Sequence, residues 1–599
     1  MMMSRKRPLR AYIKYIVCTA TLLLPFFPGA GVGSLQAQSL TLGKNTISNI
    51  AKSDPLIITG AIGTNNTYYH SSMGDGYRSP WGNTFYANLN ISLYGISMPF
   101  AFYYSNNNSS FNYPHFSFHI DPTYKNWRAH FGRSTMALSS YIMNTSFNGV
   151  GLEYNSSKLR FGAFYGELRN AVNDDPTDPK ARSPQYRRMG WGFKLGYGSQ
   201  RSFLDLCLLR AYDRTNSIDE RWRDRISPKD NLAVALRGGL GLTGWLSLRG
   251  NVAFSAFTSD KMAQRITTGD ADRWANVFST RYTSLMRLAT DVSANINVKN
   301  FATQIYYKMV QPDYSTLGLY YTSNTYQSLG INASTMLFKT ISLSANFSGQ
   351  EDNITRNQLY TTRGLVYSAN AATNVGERIT LSAGYNGYRQ LQSDGKAHVN
   401  DSTRVNRIMH SLYFSPSYTI DGDRTGHIFS LSASYTENRD LNKLATGISD
   451  VRSIAFGVSH SLQLKSLEMD VNTSFSHQQS KGYQTRYSSD VLTVGTGRSF
   501  LKEKNLHASA DLSLCYNDIR HQQRMLSLGF NLSAGYTLAK VHFFNLSAGF
   551  NKYSDTNISA DYTSMGTTEV SVSLGYNYTF SLLHLKRKAE KTASGLNDK

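Results

Sequence analysis

The densest grouping of side chains able to do chemistry lies between His115 and His130. If the chain reverses near Lys125, His119 falls opposite His130 and Asp121 opposite Arg128 on paired strands. His115, four residues before His119, shares their face. Imidazoles and a carboxylate on one face suit a metal site or a proton-sensitive gate. The same residues also make an ordinary polar wall with one cross-strand ion pair, and that plainer arrangement is the expectation. Phe116, Phe118, Trp127 and Phe131 take the alternate positions, so the polar set turns away from an apolar face.

A second group is cationic. Arg160, Arg188, Lys194, Arg237 and Arg249 occupy polar positions in segments of alternating character. Rows of cations lining an aqueous path bias it toward anions. Loop carboxylates such as Asp174, Asp175 and Glu220 would cancel that bias. Asp174-Asp175 could hold a cation, though a solvated acidic loop is simpler. Gly239-Leu240-Gly241-Leu242-Thr243-Gly244 matches the dinucleotide pattern letter for letter, but that motif needs a strand before it and a helix after it. Alternation flanks it on both sides, so a hairpin turn is expected. Neither Gly-x-Ser-x-Gly nor His-Glu-x-x-His occurs, and no Ser, His and carboxylate set can be assembled. No enzymatic activity, metal or cofactor is therefore expected.

These residues sit on a ladder of rungs of about a dozen residues in which apolar and polar positions alternate. Leu232, Val234 and Leu236 take one face; Ala233, Ala235 and Arg237 take the other. Tight turns fall near Tyr94-Gly95, Lys125, Ser156-Ser157, Ser199, Thr243, Lys299, Lys339, Gly376, Gly422, Lys465, Glu503 and Ala539-Lys540. Twelve hairpins account for 24 strands, and Leu56–Tyr69 and Thr567–Phe580 remain to close a ring of about 26 (24–28). The longest polar loops are Arg169–Arg187, Thr258–Arg281 and Leu391–Arg407. Tyrosine pairs at rung ends, such as Tyr68-Tyr69 and Tyr306-Tyr307, suit a lipid–water interface.

The final rung carries Gly575, Tyr576, Tyr578 and Phe580 in alternation. It is similar to the C-terminal targeting signal of outer-membrane barrels. With the ladder, it makes the chain resemble a large Gram-negative outer-membrane β-barrel. The resemblance implies an all-β fold: a single antiparallel transmembrane β-barrel with short periplasmic turns and long extracellular loops. It implies as partners outer-membrane lipid and lipopolysaccharide, the barrel-assembly machinery, and another outer-membrane or periplasmic protein. The implied function is transport or translocation of a solute, polymer or protein; the alternative is a non-transport scaffold that docks a partner. One departure from the pattern is that residues 581–599 follow Phe580 as a basic tail.

Arg5, Lys6, Arg7, Arg10 and Lys14 precede an apolar run, with Leu35-Gln36-Ala37 as a cleavage site, so 1–37 is expected to be a signal peptide. Its removal lowers the net charge from +22 to +17. The remaining basic residues are scattered, which points to a cationic lumen or lipopolysaccharide contacts and away from nucleic acid. Only residues 38–55 precede the barrel at 56–580, so no plug domain is expected. Inward-folding loops or a partner would have to seal so wide a ring. Cys207 and Cys515 would pair only if barrel closure brought them together.

Overall fold

The computed structural model describes residues 56–585, apart from 75–79, 107–115, 175–181, 268–277, 321–325, 445–448, 558–565 and a few single loop positions. The expected leader, the segment 38–55, His115, Asp175 and the chain beyond Leu585 lie outside the described residues. Among the described residues, no helix is long and apolar enough to cross a membrane.

The chain runs through β1 (Leu56–Ser71), β2 (Trp81–Leu93), β3 (Ile96–Ser105), β4 (Phe116–Ile120), β5 (Thr123–Tyr124), β6 (Trp127–Ser134), β7 (Phe147–Asn155), β8 (Leu159–Arg169) and β9 (Arg188–Gly198). It continues through β10 (Phe203–Asp213), a single helical turn α1 (Glu220–Arg223), β11 (Asp230–Gly241), β12 (Leu246–Thr258), β13 (Ser284–Val298), β14 (Phe301–Val310), β15 (Tyr326–Leu337), β16 (Ile341–Glu351), β17 (Tyr360–Val375) and β18 (Ile379–Asp394). The last third is β19 (Asn406–Asp421), β20 (Thr425–Asp440), β21 (Val451–Leu464), β22 (Met469–Gly482), β23 (Arg486–Phe500), β24 (Leu506–Ile519), β25 (Gln523–Leu538), β26 (His542–Asn557) and β27 (Gly566–Leu585). β4 and β5 are two pieces of one strand, both paired with β3 and β6 and interrupted at Pro122, whose ring nitrogen cannot donate to the ladder. The ring therefore has 26 strand positions, each antiparallel to the next, and β1 pairs with β27 to close it. Closure leaves no free edge, the condition for a sheet to cross lipid.

The alternation sorts the two faces in the sense opposite to a soluble protein. Leu236 and Phe254 are 47% and 52% exposed on the outside, whereas Ala235 and Ser255, one position away on each strand, are 1% exposed. The outer surface is a continuous field of Leu, Val, Ile and Phe, which lipid must cover.

All twelve tight turns fall at or within about a residue of the positions that the alternation predicts. Tyr94-Gly95 turns with φ of 48° and 80°, and Ala539-Lys540 with 52° and 63°. Two successive left-handed residues match the right-handed twist of the flanking strands. Lysine at 125, 299, 339, 504 and 540 accepts positive φ where glycine or asparagine would be less strained.

Two boundaries differ from expectation. β27 does not stop at Phe580; its backbone continues to Leu585, pairing Ser581 with Thr59, Leu582 with Ile58 and Leu585 with Leu56. The strand lengthens because β1 begins at Leu56 and its ladder groups need partners. The loop after β18 is also shorter than the polar run Leu391–Arg407 suggests, because β18 extends to Asp394 and β19 starts at Asn406.

Candidate functional site

The His-rich hairpin turns one residue later than expected, at Lys125-Asn126, with Tyr124 opposite Trp127. That moves the register by two, so His119 faces Gly132 rather than His130, and Thr123 rather than Asp121 faces Arg128. A two-residue shift preserves side-chain faces, and the polar set still points inward. His130, 1% exposed, sits between two carboxylates: Nδ1 is 3.1 Å from Asp121 Oδ1 and Nε2 is 3.3 Å from Glu153 Oε2. Ser134 Oγ donates to the same Asp121 oxygen at 3.1 Å, and Arg128 Nε stands 3.9 Å from its other oxygen. With a carboxylate at each ring nitrogen, the doubly protonated imidazole can donate to both. Among the described residues no group of His, Cys, Asp and Glu is arranged to hold a metal ion. The cluster is a cross-strand brace. Glu153 was not anticipated, although the inward row Gly149, Gly151, Glu153 alternating with Val150, Leu152 and Tyr154 on β7 carries the signal.

The five cationic residues all lie on inward positions, but most are already engaged. Arg160 donates from Nε and Nη2 to Asp205 Oδ1 at 3.0 and 2.8 Å, and from Nη1 to the Gly198 carbonyl at 2.8 Å. Arg188 Nε donates to Asp213 Oδ1 at 2.8 Å, and Arg169 Nη2 lies 3.6 Å from the other oxygen of that carboxylate. The neutralising groups are thus β10 wall residues, not the loop carboxylates expected. In the loop, Arg182 takes Asp174 through Nε at 2.9 Å and Nη2 at 3.0 Å, and these bonds hold its carboxyl down at about 2. Glu220 pairs with Arg223 on the same helical turn at 3.5 Å. Asp174 is therefore not free to hold a cation.

Lys194 and Arg237 reach a feature that the alternation does not reveal. Residues 135–146, between β6 and β7, fold into the lumen as a strap. Lys194 Nζ donates to the Ala137 carbonyl at 3.2 Å, and Arg237 Nη1 to the Leu138 carbonyl at 3.1 Å. Ser139 Oγ donates to Asn251 Oδ1 on β12 at 2.9 Å. A second inward segment after β14, described through Tyr320, clasps the strap. Gly318 forms a parallel bridge with Met143, Tyr314 Oη donates to the Tyr141 carbonyl at 2.9 Å, and Thr316 Oγ1 donates to the Ile142 carbonyl at 2.8 Å. Ser255 on β12 and Asn231 on β11 fasten this second segment to the wall at Ser315 and Leu317.

The result is a hydrophobic core inside the barrel. Met136, Leu138, Ile142 and Met143 of the strap pack with Phe147 and Phe164 on Cys207, Leu209, Ala233, Ala235, Ala253 and Ala289 of the wall. Small wall residues make the approach possible: a Cβ at Gly192 would sit 3.0 Å from Leu138 Cδ1 and 2.2 Å from the Phe164 ring. The available signal was compositional. The inward rows of β10 to β13 carry Cys207, Leu209, Ala211, Ala233, Ala235, Ala253 and Ala289 at mid-strand positions where a water-facing wall would carry Ser and Asn. Cys207 and Cys515 are both free thiols, on strands that do not pair.

The opposite arc is different. From β15 to β22 the inward positions between strand ends are almost all Ser, Thr, Asn, Gln, Gly and Tyr, and the alternation leaves them facing open space. Charged inward residues there, such as Arg407, Asp421 and Asp470, are confined to strand ends. Arg249, on β12, is exposed to the lumen.

Fold and lumen define a transmembrane β-barrel of the large outer-membrane class, with one arc of its interior filled by its own loops. No family model and no curated protein sequence matches the chain. Among solved structures, the translocation pore of the P pilus usher PapC is 11% identical, covering 88% of this chain and 100% of that one at a TM-score of 0.34. Acinetobacter baumannii OccAB3 is 11% identical over 66% of this chain and 99% of that chain, with a TM-score of 0.29. OpdK from Pseudomonas aeruginosa is 12% identical over 59% and 95%, at 0.27. Likeness at this level carries no functional argument, so function has to be argued from the lumen itself.

Proposed function

We propose that the protein sits in the outer membrane and passes a solute or polymer along the uncovered arc of its lumen. The observation that supports this is the asymmetry of the interior. The strap and the segment 311–320 close the β8–β14 side with an apolar core. The β15–β22 side carries hydroxyls and amides with no segment anchored across them among the described residues. A scaffold needs no water-lined arc of this kind, whereas a path does. The short-turn rim faces the periplasm and the long loops face outward in this reading. The chain's own part is steric and dielectric: it sets the width, wets the path and excludes lipid.

Single-channel recording of the purified barrel in planar bilayers tests the proposal. A steady open-state conductance is the expected result. A barrel that inserts yet never conducts would favour a docking scaffold.

A further inference from the structure

We propose that the inner wall from β14 to β19 is a recognition track for a neutral, hydroxyl-rich carbohydrate chain. The inference rests on the uncovered arc being the path and names what travels on it.

The track begins with a ladder of side-chain amides. Asn332 Nδ2 donates to Gln304 Oε1 at 3.2 Å, and Asn346 Nδ2 donates to Asn332 Oδ1. They face a concave recess of about 430 Å³, to which Asn295 and Ser368 also contribute. Each amide offers two N–H donors and a carbonyl with two lone pairs, so the ladder bonds leave capacity of both kinds facing the lumen. That dual character matches alcohol groups, each of which both donates and accepts. It matches phosphate or carboxylate poorly, because the wall brings no cation to the recess.

Two tyrosines flank the ladder, each lying across a glycine. Tyr306 lies across Gly330, where a Cβ would sit 2.6 Å from its ring, and Tyr413 lies across Gly384, where a Cβ would sit 2.2 Å away. Only glycine leaves room for a ring to lie flat on the wall. Tyr413 is further fixed by its hydroxyl, which donates to Asn370 Oδ1 at 3.1 Å, and it remains 37% exposed. A flat exposed ring offers its π face to the C–H surface of a sugar, while neighbouring amides take the hydroxyls. Strands stand about 4.8 Å apart, so β14 to β19 spans roughly 24 Å, enough for several sugar units. A polypeptide is the competing cargo. It would gain little from flat rings with amides between them.

The test is binding, read without current. The full barrel is purified in a detergent lacking a sugar headgroup. It is titrated with neutral hexasaccharides of α-1,4-glucose, β-1,4-glucose and mannose, using saturation-transfer NMR and calorimetry. Saturable binding of at least one is expected. The double variant Asn332→Ala/Asn346→Ala should weaken it about tenfold, as loss of two modest hydrogen bonds implies. Tyr413→Phe should retain binding and Tyr413→Ala should lose it, while Asn472→Ala on β22 should change nothing. The idea is overturned if no hexasaccharide binds, if size-matched polyethylene glycol binds equally, or if only a Ser/Gly-rich peptide binds in an Asn332-dependent way. A barrel that binds sugar but does not conduct would sink the transport reading alone. One that conducts without binding would sink this one alone.

Discussion

The strap can be released by a single methyl group. In Gly318→Ala the new Cβ would stand 2.3 Å from the Ile142 carbonyl oxygen and 2.5 Å from Leu209 Cδ2. Neither can yield cheaply, since one is backbone and the other belongs to the packed interior. The segment 311–320 must then back away from the strap. The Gly318 carbonyl accepts from Asn144 N–H at 2.9 Å, Thr145 N–H at 3.2 Å and Thr145 Oγ1–H at 3.1 Å, and all three are lost. At about 1 kcal/mol each, the loss is about 3 kcal/mol. That raises the ratio of released to seated strap about a hundredfold. Cys207 is a built-in reporter. It is fully buried in this core, beneath the strap. In a Cys515→Ser background, the rate of maleimide labelling at Cys207 follows the released population. The expected result is labelling about a hundred times faster in Gly318→Ala, with the barrel still migrating as a folded band on unheated gels. Ile142→Asp, which leaves the wall intact, should act in the same direction. Labelling within threefold of the parent in both variants would refute the claim that the strap shields this wall.

Other expectations follow from the seam, the wall and the lumen-exposed Arg249. Removing residues 586–599 should leave assembly unchanged. Deletion from Ser581 takes partners from Thr59, Ile58, Ile57 and Leu56 and should lower the temperature at which the folded gel band disappears. Phe580→Asp should block assembly, seen as loss of the folded band. Asp205→Ala strips Arg160 of its carboxylate and should cost about 2 kcal/mol in urea unfolding, with Asp205→Asn recovering part of it. Arg249→Glu should move a conducting barrel toward cations in reversal-potential measurements. Arg237→Ala should instead speed Cys207 labelling, because Arg237 holds the Leu138 carbonyl.

The ring was legible because its grammar is local. Period-two alternation and turn residues are properties of a dozen neighbours, and they are enough to place twelve hairpins and a closing pair. Facing also survived a wrong register at Lys125, since a slip of two residues leaves every side chain on its side. What escaped was everything that depends on who approaches from across the lumen. Asp205 and Asp213 read as polar positions on β10, but their claim on Arg160 and Arg188 appears only when β8, β9 and β10 are neighbours. The strap, Thr135 to Ser146, reads as a plain loop between strands. Its Met136, Leu138 and Ile142 have no periodic partner in the chain, and their partners are Leu209 and the alanines of distant strands. The amide ladder is similarly a product of adjacency, since Gln304, Asn332 and Asn346 fall on three different strands.

The interior core also sets where the ring can give. A sheet of 26 strands closed on itself has little to resist flattening beyond its backbone ladder. Along the arc from β8 to β14 the strap works as an internal strut, tied by Lys194, Arg237 and Asn251 to three different strands. The described residues show no equivalent tie along the arc from β15 to β22. Compliance is therefore concentrated on one side. Under load from a bulky cargo the barrel would bulge there like a bag with one stiffened wall, and the strap would keep its shape while the hydroxyl-lined wall moved away from it.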